Sequence, residues 1–570
     1  MAPSRRVRAL VRRSMGMGLM DGNGSSRFSR RAVIGAGGAA VVFGGAYSAL
    51  RGASQRRIVS SSDNKTFNRG NGAEPDTLDP HYASTLTEDN IIGDMFLGLT
   101  TEDALGTPVP GAATGYTVSN GGLVYTFTLR DHTWSDGVPV TAQDFVYSYR
   151  RVLGPKTIAQ YAVLLYPIKN ARAVNIGKLP PEALGVRAID DRTLEVEFAV
   201  QAPYARQFFM YFPLFAVPRH VVERHGDEWL RPQNIVTNGA YILKEWVPND
   251  HILLVKNPRF YDADNVSIER VFYYPTSDYS AALKRFRAGE IDIQNGVPSE
   301  EIDWLKYNMP RALRSSPFMS IRYLTFNTRV KPFDDLRVRT ALSLAIDREV
   351  VAGRVMRGGE RPAYAFVPPH MPGYPGRAEL RFRSMPMAAR VQKARALLHE
   401  AGFGPKNPLT FDYNVYDTSD ARLVSVALQA MWHSIGAEAN IIPTDKKNHY
   451  NLLFKHAYSV AWAGYVADYL DAKDFLYQWL AGRNYMNYGG YNNPRFDALL
   501  AQSDTAQDPK VRAALLEQAE QLLLDDMIVA PLFNDVSRNL VSPAVEGWFG
   551  NDIDINRTRY LKLDRRRAEV

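Results

Sequence analysis

Between Leu123 and Arg130 apolar and polar residues alternate (LVYTFTLR), the two-residue period of a half-buried strand, and Asp136-Gly137 follows as a tight turn. Thr141 then reads as the N-cap of a helix through TAQDFVYSYRRVL. Strand and turn signals of this kind dominate from Lys65 to about Glu197. Near Thr325 the period changes. The stretch DDLRVRTALSLAIDREVVAGRVM predicts a helix with Leu336, Leu342, Leu344, Ala345 and Val350 mostly on one stripe. From Val391 the pattern becomes helix, strand, helix, strand. VQKARALLHEAG is stopped by Gly402, LTFDYNVY extends, ARLVSVALQAMWHSIG is stopped by Gly436, and AEANIIP extends again. A short helical segment and the strand YSVAWAGYV follow. This alternation predicts an α/β lobe with a largely parallel sheet, and in such sheets ligands lie beyond the C-terminal strand ends.

One such end is unusual. The apolar run AWAGYVADY stops on a carboxylate, Asp468. Strand alternation puts Trp462, Gly464, Val466 and Asp468 on one face and Ala461, Ala463, Tyr465 and Ala467 on the other.

Length changes the picture first: 570 residues suggest two to four lobes without a long linker, repeat or low-complexity segment after residue 54. The net charge of +8 suggests a polyanion partner until it is located. Residues 1–53 hold nine arginines and one acid, Asp21, and the rest of the chain is balanced at 59 basic and 59 acidic residues, so no nucleic-acid partner is expected. The basic region continues into SRFSRRAVIGAGGAAVVFGGAYSAL, an export signal in which Ser29-Arg30-Arg31 resembles the twin-arginine motif. Cleavage near Ala46-Tyr47-Ser48 is expected, with an uncleaved anchor as the alternative. GAGGAA follows no strand, which excludes a dinucleotide loop. The absence of cysteine removes disulfides, thiolate ligands and a lipidated N-terminal Cys, and an exported protein without a lipid anchor points to a Gram-negative periplasm.

Catalytic motifs are missing. There is no P-loop, HExxH or Gly-x-Ser-x-Gly, and His220 and His225 lack the spacing that places two ligands on one helical face. Asp190-Asp191 and Asp334-Asp335 sit in turn or cap contexts. The expectation is a binding protein, with no cofactor, no metal and no enzymatic activity.

Six blocks in order carry a resemblance: GAEPDTLDPH (72–81), TFTLRDHTWSDGVPVTAQDFVYSYRRVL (126–153), VTNGAYILKEW (236–246), RFRAGEIDI (285–293), FNTRVKPFDDLRVRTALSLAIDRE (326–349) and WAGYVADY (462–469). Over about residues 65–565 the chain resembles the family 5 extracytoplasmic solute-binding proteins of peptide ABC importers, most closely the periplasmic oligopeptide-binding proteins. The resemblance implies a three-lobed α/β fold of the type II, cluster C-like kind, whose two ligand-enclosing lobes close by a hinge. Behind the signal region 1–53, lobe I comprises 54–96, 221–322 and 537–570, lobe II 97–220, and lobe III 323–536. It also implies a monomer that delivers short peptides or peptide-like molecules to an inner-membrane permease and its ATPase subunits.

Residue by residue, the resemblance makes Asp468 the partner of a peptide's α-ammonium, because an enclosed amine needs a counter-ion. Gly464, Tyr465 and Val466 pair with the peptide main chain on one side, and Ser84, Thr85 and Leu86 on the other, as in strand addition. Gly464 suits a close approach of another backbone. Tyr161 and Asn487 match cleft positions, with packing or turn duty as the alternative. The chain departs from the pattern at the far end. Where the family has an Arg six residues before the acid, Trp462 stands here, and it cannot neutralise a carboxylate. A ligand-contacting His becomes Arg422, which either takes the anionic end or is a solvated helix residue. An aromatic cleft position becomes Asp535. These departures motivate a dedicated ligand as the alternative: a cell-wall peptide, a peptide antibiotic, an opine or a metal chelate. A secreted hydrolase and a chaperone-like role are the readings from other classes.

Overall fold

A computed structural model describes residues 64–481 and 486–567. The export-signal expectation, with its cleavage point, lies outside them.

Three sheets organise the chain. A seven-stranded sheet has the order 313–317, 536–541, 293–295, 66–70, 270–274, 251–256, 241–247. A four-stranded antiparallel sheet is built from 113–119, 124–129, 193–197 and 186–190. A six-stranded sheet runs 361–362, 529–534, 320–326, 460–466, 409–416, 437–444. One apolar core joins the seven- and four-stranded sheets through residues such as Phe67, Leu254, Phe127 and Leu194. A second, with Tyr323, Tyr413 and Trp432, fills the six-stranded region.

The local signals explain much of this. In Val124–Leu129, Tyr125, Phe127 and Leu129 are buried while Thr128 faces solvent. Gly137 turns the chain at φ 97°. Thr141 and Asp144 form a capping box on Ala142–Val152, the Thr141 N–H donating to Asp144 Oδ2 at 2.9 Å. Gly402 (φ 91°) and Gly436 (φ 85°) end the helices Met387–Glu400 and Ser419–His433 in the left-handed conformation that glycine adopts freely.

Two expectations are corrected. The six-stranded sheet is mixed, not largely parallel. The Leu409–Tyr416 strand is parallel to its two neighbours, but Ser320–Phe326 pairs antiparallel on both edges and Arg361–Pro362 is antiparallel to Val529–Asn534. The cause is chain order: the 320–326 and 529–534 strands lie outside the alternating αβ stretch and enter from the other sheet. The long helix after Thr325 is broken as well. It runs Leu336–Leu344, and Asp347 then caps a new turn by accepting from the Val350 N–H at 3.1 Å. Leu336 is 43 % exposed, so it does not belong to the buried stripe of Leu342, Leu344 and Ala345.

Two chain segments pass from the seven-stranded to the six-stranded sheet side by side. Leu313–Pro317 pairs with Val536–Val541 in the first, and their continuations Ser320–Phe326 and Val529–Asn534 pair in the second. The joints are Phe318-Met319 and Asp535. They are tied together: Ser320 Oγ donates to Asp535 Oδ2 at 2.9 Å, and Asn534 Nδ2 donates to the Ser320 carbonyl at 3.0 Å.

Candidate ligand cleft

The Val460–Val466 strand carries the central residues. One edge pairs along its whole length with Ser320–Phe326. The other pairs with Leu409–Tyr416 only at Val460 and Ala461, and from Trp462 to Val466 no strand among the described residues covers it. The Trp462 carbonyl on this stretch accepts from His449 Nε2 at 2.8 Å. An uncovered strand edge inside a protein presents donors and acceptors that an extended chain can meet.

Asp468 lies just past the end of this strand, beyond the face alternation that placed it beside Trp462. Its carboxylate turns to Tyr465, whose hydroxyl donates to Asp468 Oδ2 at 2.9 Å and lies 3.1 Å from Asp474 Oδ1. The Asp468 N–H donates to Asp474 Oδ2 at 2.8 Å. From the region of the four-stranded sheet, the Tyr211 hydroxyl donates to Asp468 Oδ1 at 3.3 Å. Tyr161 packs edge-on against Tyr211 at 5.8 Å, and Tyr204 stacks on Tyr469 at 4.3 Å. A phenol has one proton, so Tyr465 cannot donate to both carboxylates. Neither acid has an ion-pair partner among the described residues. Burial pushes Asp468 up to about 6, with the Tyr465 and Tyr211 hydroxyls pulling it back. Fully buried Asp474 is held well above its ordinary value by burial and then by the charge of Asp468. The pair is an anionic site lacking a cation.

A cavity of about 670 Å3 opens between the seven- and six-stranded sheets. Of the residues proposed from sequence, Leu86, Trp462, Arg422 and Asp535 line it. Asp468, Gly464, Tyr465, Val466, Ser84, Thr85, Tyr161 and Asn487 are not among its lining residues.

Ser84, Thr85 and Leu86 form the start of the helix Leu86–Met95. The N–H groups of Ser84 and Thr85 donate to Glu88 Oε2 at 2.8 and 2.9 Å, so both are committed to the cap and unavailable to a ligand. The helix is anchored by buried Arg557, which pairs with Asp89 and Glu102. Asn487 is a loop brace: its amide donates to the Tyr491 carbonyl at 2.7 Å and accepts from the Tyr491 N–H at 2.8 Å. Arg422 is exposed and ion-paired with Asp417 at the cavity rim. Gly464 makes room for a side chain of this protein, since a Cβ there would lie 2.3 Å from Arg322 Nη1.

Arg322 is the residue that sequence inspection missed. It sits in register with Gly464, with Nε 2.8 Å from Asp535 Oδ2 and Nη1 donating to the Tyr416 hydroxyl at 3.0 Å. Burial works against its charge, but Asp535 together with the Tyr416 and Tyr450 hydroxyls more than offsets it and keeps the guanidinium protonated. A lone Arg in the otherwise uncharged strand SIRYLTF was the available signal, because a charge in a buried strand needs a reason. Trp462 lies on the same face, 2 % exposed, with its ring 6.1 Å from Phe533 and its indole N–H without a partner among the described residues.

Comparison with known proteins agrees with this geometry. The model of the bacterial extracellular solute-binding proteins, family 5, matches residues 107–487. The chain is 38 % identical over 500 residues to the periplasmic oligopeptide-binding protein OppA of Salmonella typhimurium, covering 87 % of this chain and 91 % of that one. It is 35 % identical to the periplasmic murein peptide-binding protein MppA of Escherichia coli, covering 86 % and 91 %. Among solved structures, OppA of Haemophilus influenzae in complex with RPPGFSPFR superposes with a TM-score of 0.80 at 33 % identity, over 88 % of this chain and 99 % of that one. The fold, the joined sheets and the sequence matches together place the chain in the bacterial extracellular solute-binding proteins, family 5.

Proposed function

We propose that the protein is the substrate-binding subunit of an ABC importer that captures short peptides in the periplasm and hands them to an inner-membrane permease with its ATPase subunits. It acts as a monomer without catalytic chemistry and reaches the periplasm by the twin-arginine route. The carrying observation is the Asp468–Asp474 pair, uncompensated by any cation among the described residues and placed at the end of a strand edge that none of them covers. An α-ammonium meets the charge of Asp468, and an extended main chain meets the 464–466 edge, so backbone contacts hold any sequence. From the facing side the Ser84 carbonyl and hydroxyl, the Leu86 N–H and the exposed Leu86 side chain remain to contribute. Tyr161 holds Tyr211 against Asp468. Closure about the Phe318-Met319 and Asp535 joints encloses the ligand. Calorimetric titration tests this: tri- to pentapeptides bind, and Asp468→Ala weakens them at least tenfold. Unchanged affinity removes the assigned anchor.

A dedicated ligand is the second reading, favoured by Trp462 and the Arg322–Asp535 pair at the far end. The 35 % identical relative YgiS of Escherichia coli is described as a probable deoxycholate-binding protein, so relatives at this distance differ in ligand. Native mass spectrometry of protein taken from its own periplasm separates the two: a ladder of peptide masses supports the general receptor, and one defined mass the dedicated one.

A further inference from the structure

We propose that Arg322 is the specificity-determining receptor for a ligand carboxylate lying one short peptide length from the ammonium. This rests on the amine-anchoring role of Asp468 proposed above.

The observations are independent of that anchor. Arg322, Trp462, Phe533 and Asp535 all line the cavity. A guanidinium has five N–H donors. Arg322 uses Nε towards Asp535 and one on Nη1 towards Tyr416, while Nη2 has no hydrogen bond among the described residues. Trp462 closes the same wall with its ring, its indole N–H being shut off from the cavity. An open donor on a guanidinium that is only 25 % exposed marks an acceptor's place on that wall. A carboxylate satisfies it and adds charge complementarity in a partly dry setting. Asp535 does not cancel the site, because it engages Nε and leaves the outer edge of the guanidinium free.

Register sets the ligand length. Arg322 is opposite Gly464, four residues before Asp468. At about 3.3 Å per residue that is at most about 13 Å, the reach of an extended tri- or tetrapeptide. The carboxylate is either the free C-terminus of such a peptide or an acidic side chain at the third or fourth position of a longer one.

The test titrates the purified full protein with trialanine and tetraalanine as free acids and as C-terminal amides, with a pentaalanine amide carrying Glu at position three or four, and with N-acetylated trialanine. The wild type is expected to bind the short free acids at least tenfold more tightly than their amides. Arg322→Gln abolishes that ratio while leaving amide affinity within about threefold, and Arg322→Lys restores part of it. A gain from Glu in the pentapeptide amide identifies the side-chain source, and none identifies the C-terminus. Since Arg322→Gln leaves Asp535 unpaired, Arg322→Gln with Asp535→Asn is the companion variant if the single one does not fold. An acid-to-amide ratio equal in wild type and variant overturns the proposal even when N-acetylation still abolishes binding. Loss of the N-acetylation effect instead strikes the amine anchor, and no peptide binding at all overturns both.

Discussion

Replacing Asp468 by Asn is expected to make the ligand-free protein more stable and a worse receptor. The carboxyl titrates near 3.8 in an unfolded chain and near 6 in the folded protein, raised by burial. A folded-state value above the unfolded one means that the folded protein holds the proton longer. There is no penalty below about pH 3.8, the penalty grows between pH 3.8 and 6, and it is complete above 6. At about 1.4 kcal/mol per unit it reaches about 3 kcal/mol, an upper bound because Asp468 is only half-buried and shares its environment with Asp474. Asn removes the charge and keeps one acceptor oxygen, so it serves one of the two hydroxyls that now donate to Oδ2 and Oδ1. The variant should therefore gain up to about 3 kcal/mol at pH 8 but only about 1 kcal/mol at pH 4.5. With an unfolding entropy of roughly 1 kcal/mol/K for a chain of this size, the melting temperature rises by up to about 3 °C at pH 8. Calorimetric melts at the two pH values give the gain, and titration with trialanine at pH 8 gives a loss of at least tenfold. A variant no more stable than the wild type at pH 8, or a gain equal at both pH values, would refute an uncompensated charge at Asp468.

Other consequences follow from the same contacts. Wild-type affinity for a peptide amine should fall about tenfold from pH 8 to pH 5, where only about a tenth of Asp468 is ionised, and titrations across that range check it. Tyr465→Phe removes the hydroxyl shared by the two acids and should move the midpoint of that pH profile upward, read from the same series. Glu88→Ala strips the acceptor from the Ser84 and Thr85 N–H groups and should cost about 1–3 kcal/mol in denaturant unfolding. Gly464→Ala puts a methyl 2.3 Å from Arg322 Nη1 and should cost about 1–3 kcal/mol while displacing the guanidinium, seen as a loss of affinity for free-acid peptides.

Much of the fold was written locally. The alternation in LVYTFTLR, the Thr141 cap and the stops at Gly402 and Gly436 need only neighbours in sequence, and each appears where its period or cap requires it. The direction of strands in the six-stranded sheet was not local. Ser320–Phe326 and Val529–Asn534 come from outside the alternating stretch, and no period reports which sheet a strand will enter. The site divides in the same way. Asp468 was legible as a charge ending an apolar strand, but nothing in the sequence pattern marks Asp474. Only the fold sets it against Asp468 through the Tyr465 hydroxyl. Gly464 was legible as a close approach, yet its occupant, Arg322, comes from a strand some 140 residues earlier.

That pairing moves the point of divergence from Trp462 to the neighbouring strand. An extended ligand held by the 464–466 edge gains the same backbone contacts whatever its sequence, so the middle of the cleft cannot discriminate strongly. The ends can. An ammonium that settles against Asp468 offsets a burial cost of up to about 3 kcal/mol above pH 6, roughly a hundredfold in affinity that an N-acetylated peptide cannot recover. A carboxylate that reaches Arg322 meets, on the proposed reading, a guanidinium donor left open among the described residues. With both charged ends fixed to one rigid sheet, a ligand too short to span them forfeits one and a longer one must bulge or present a side chain. On the proposed anchoring, the cleft reads length and end charge before it reads sequence.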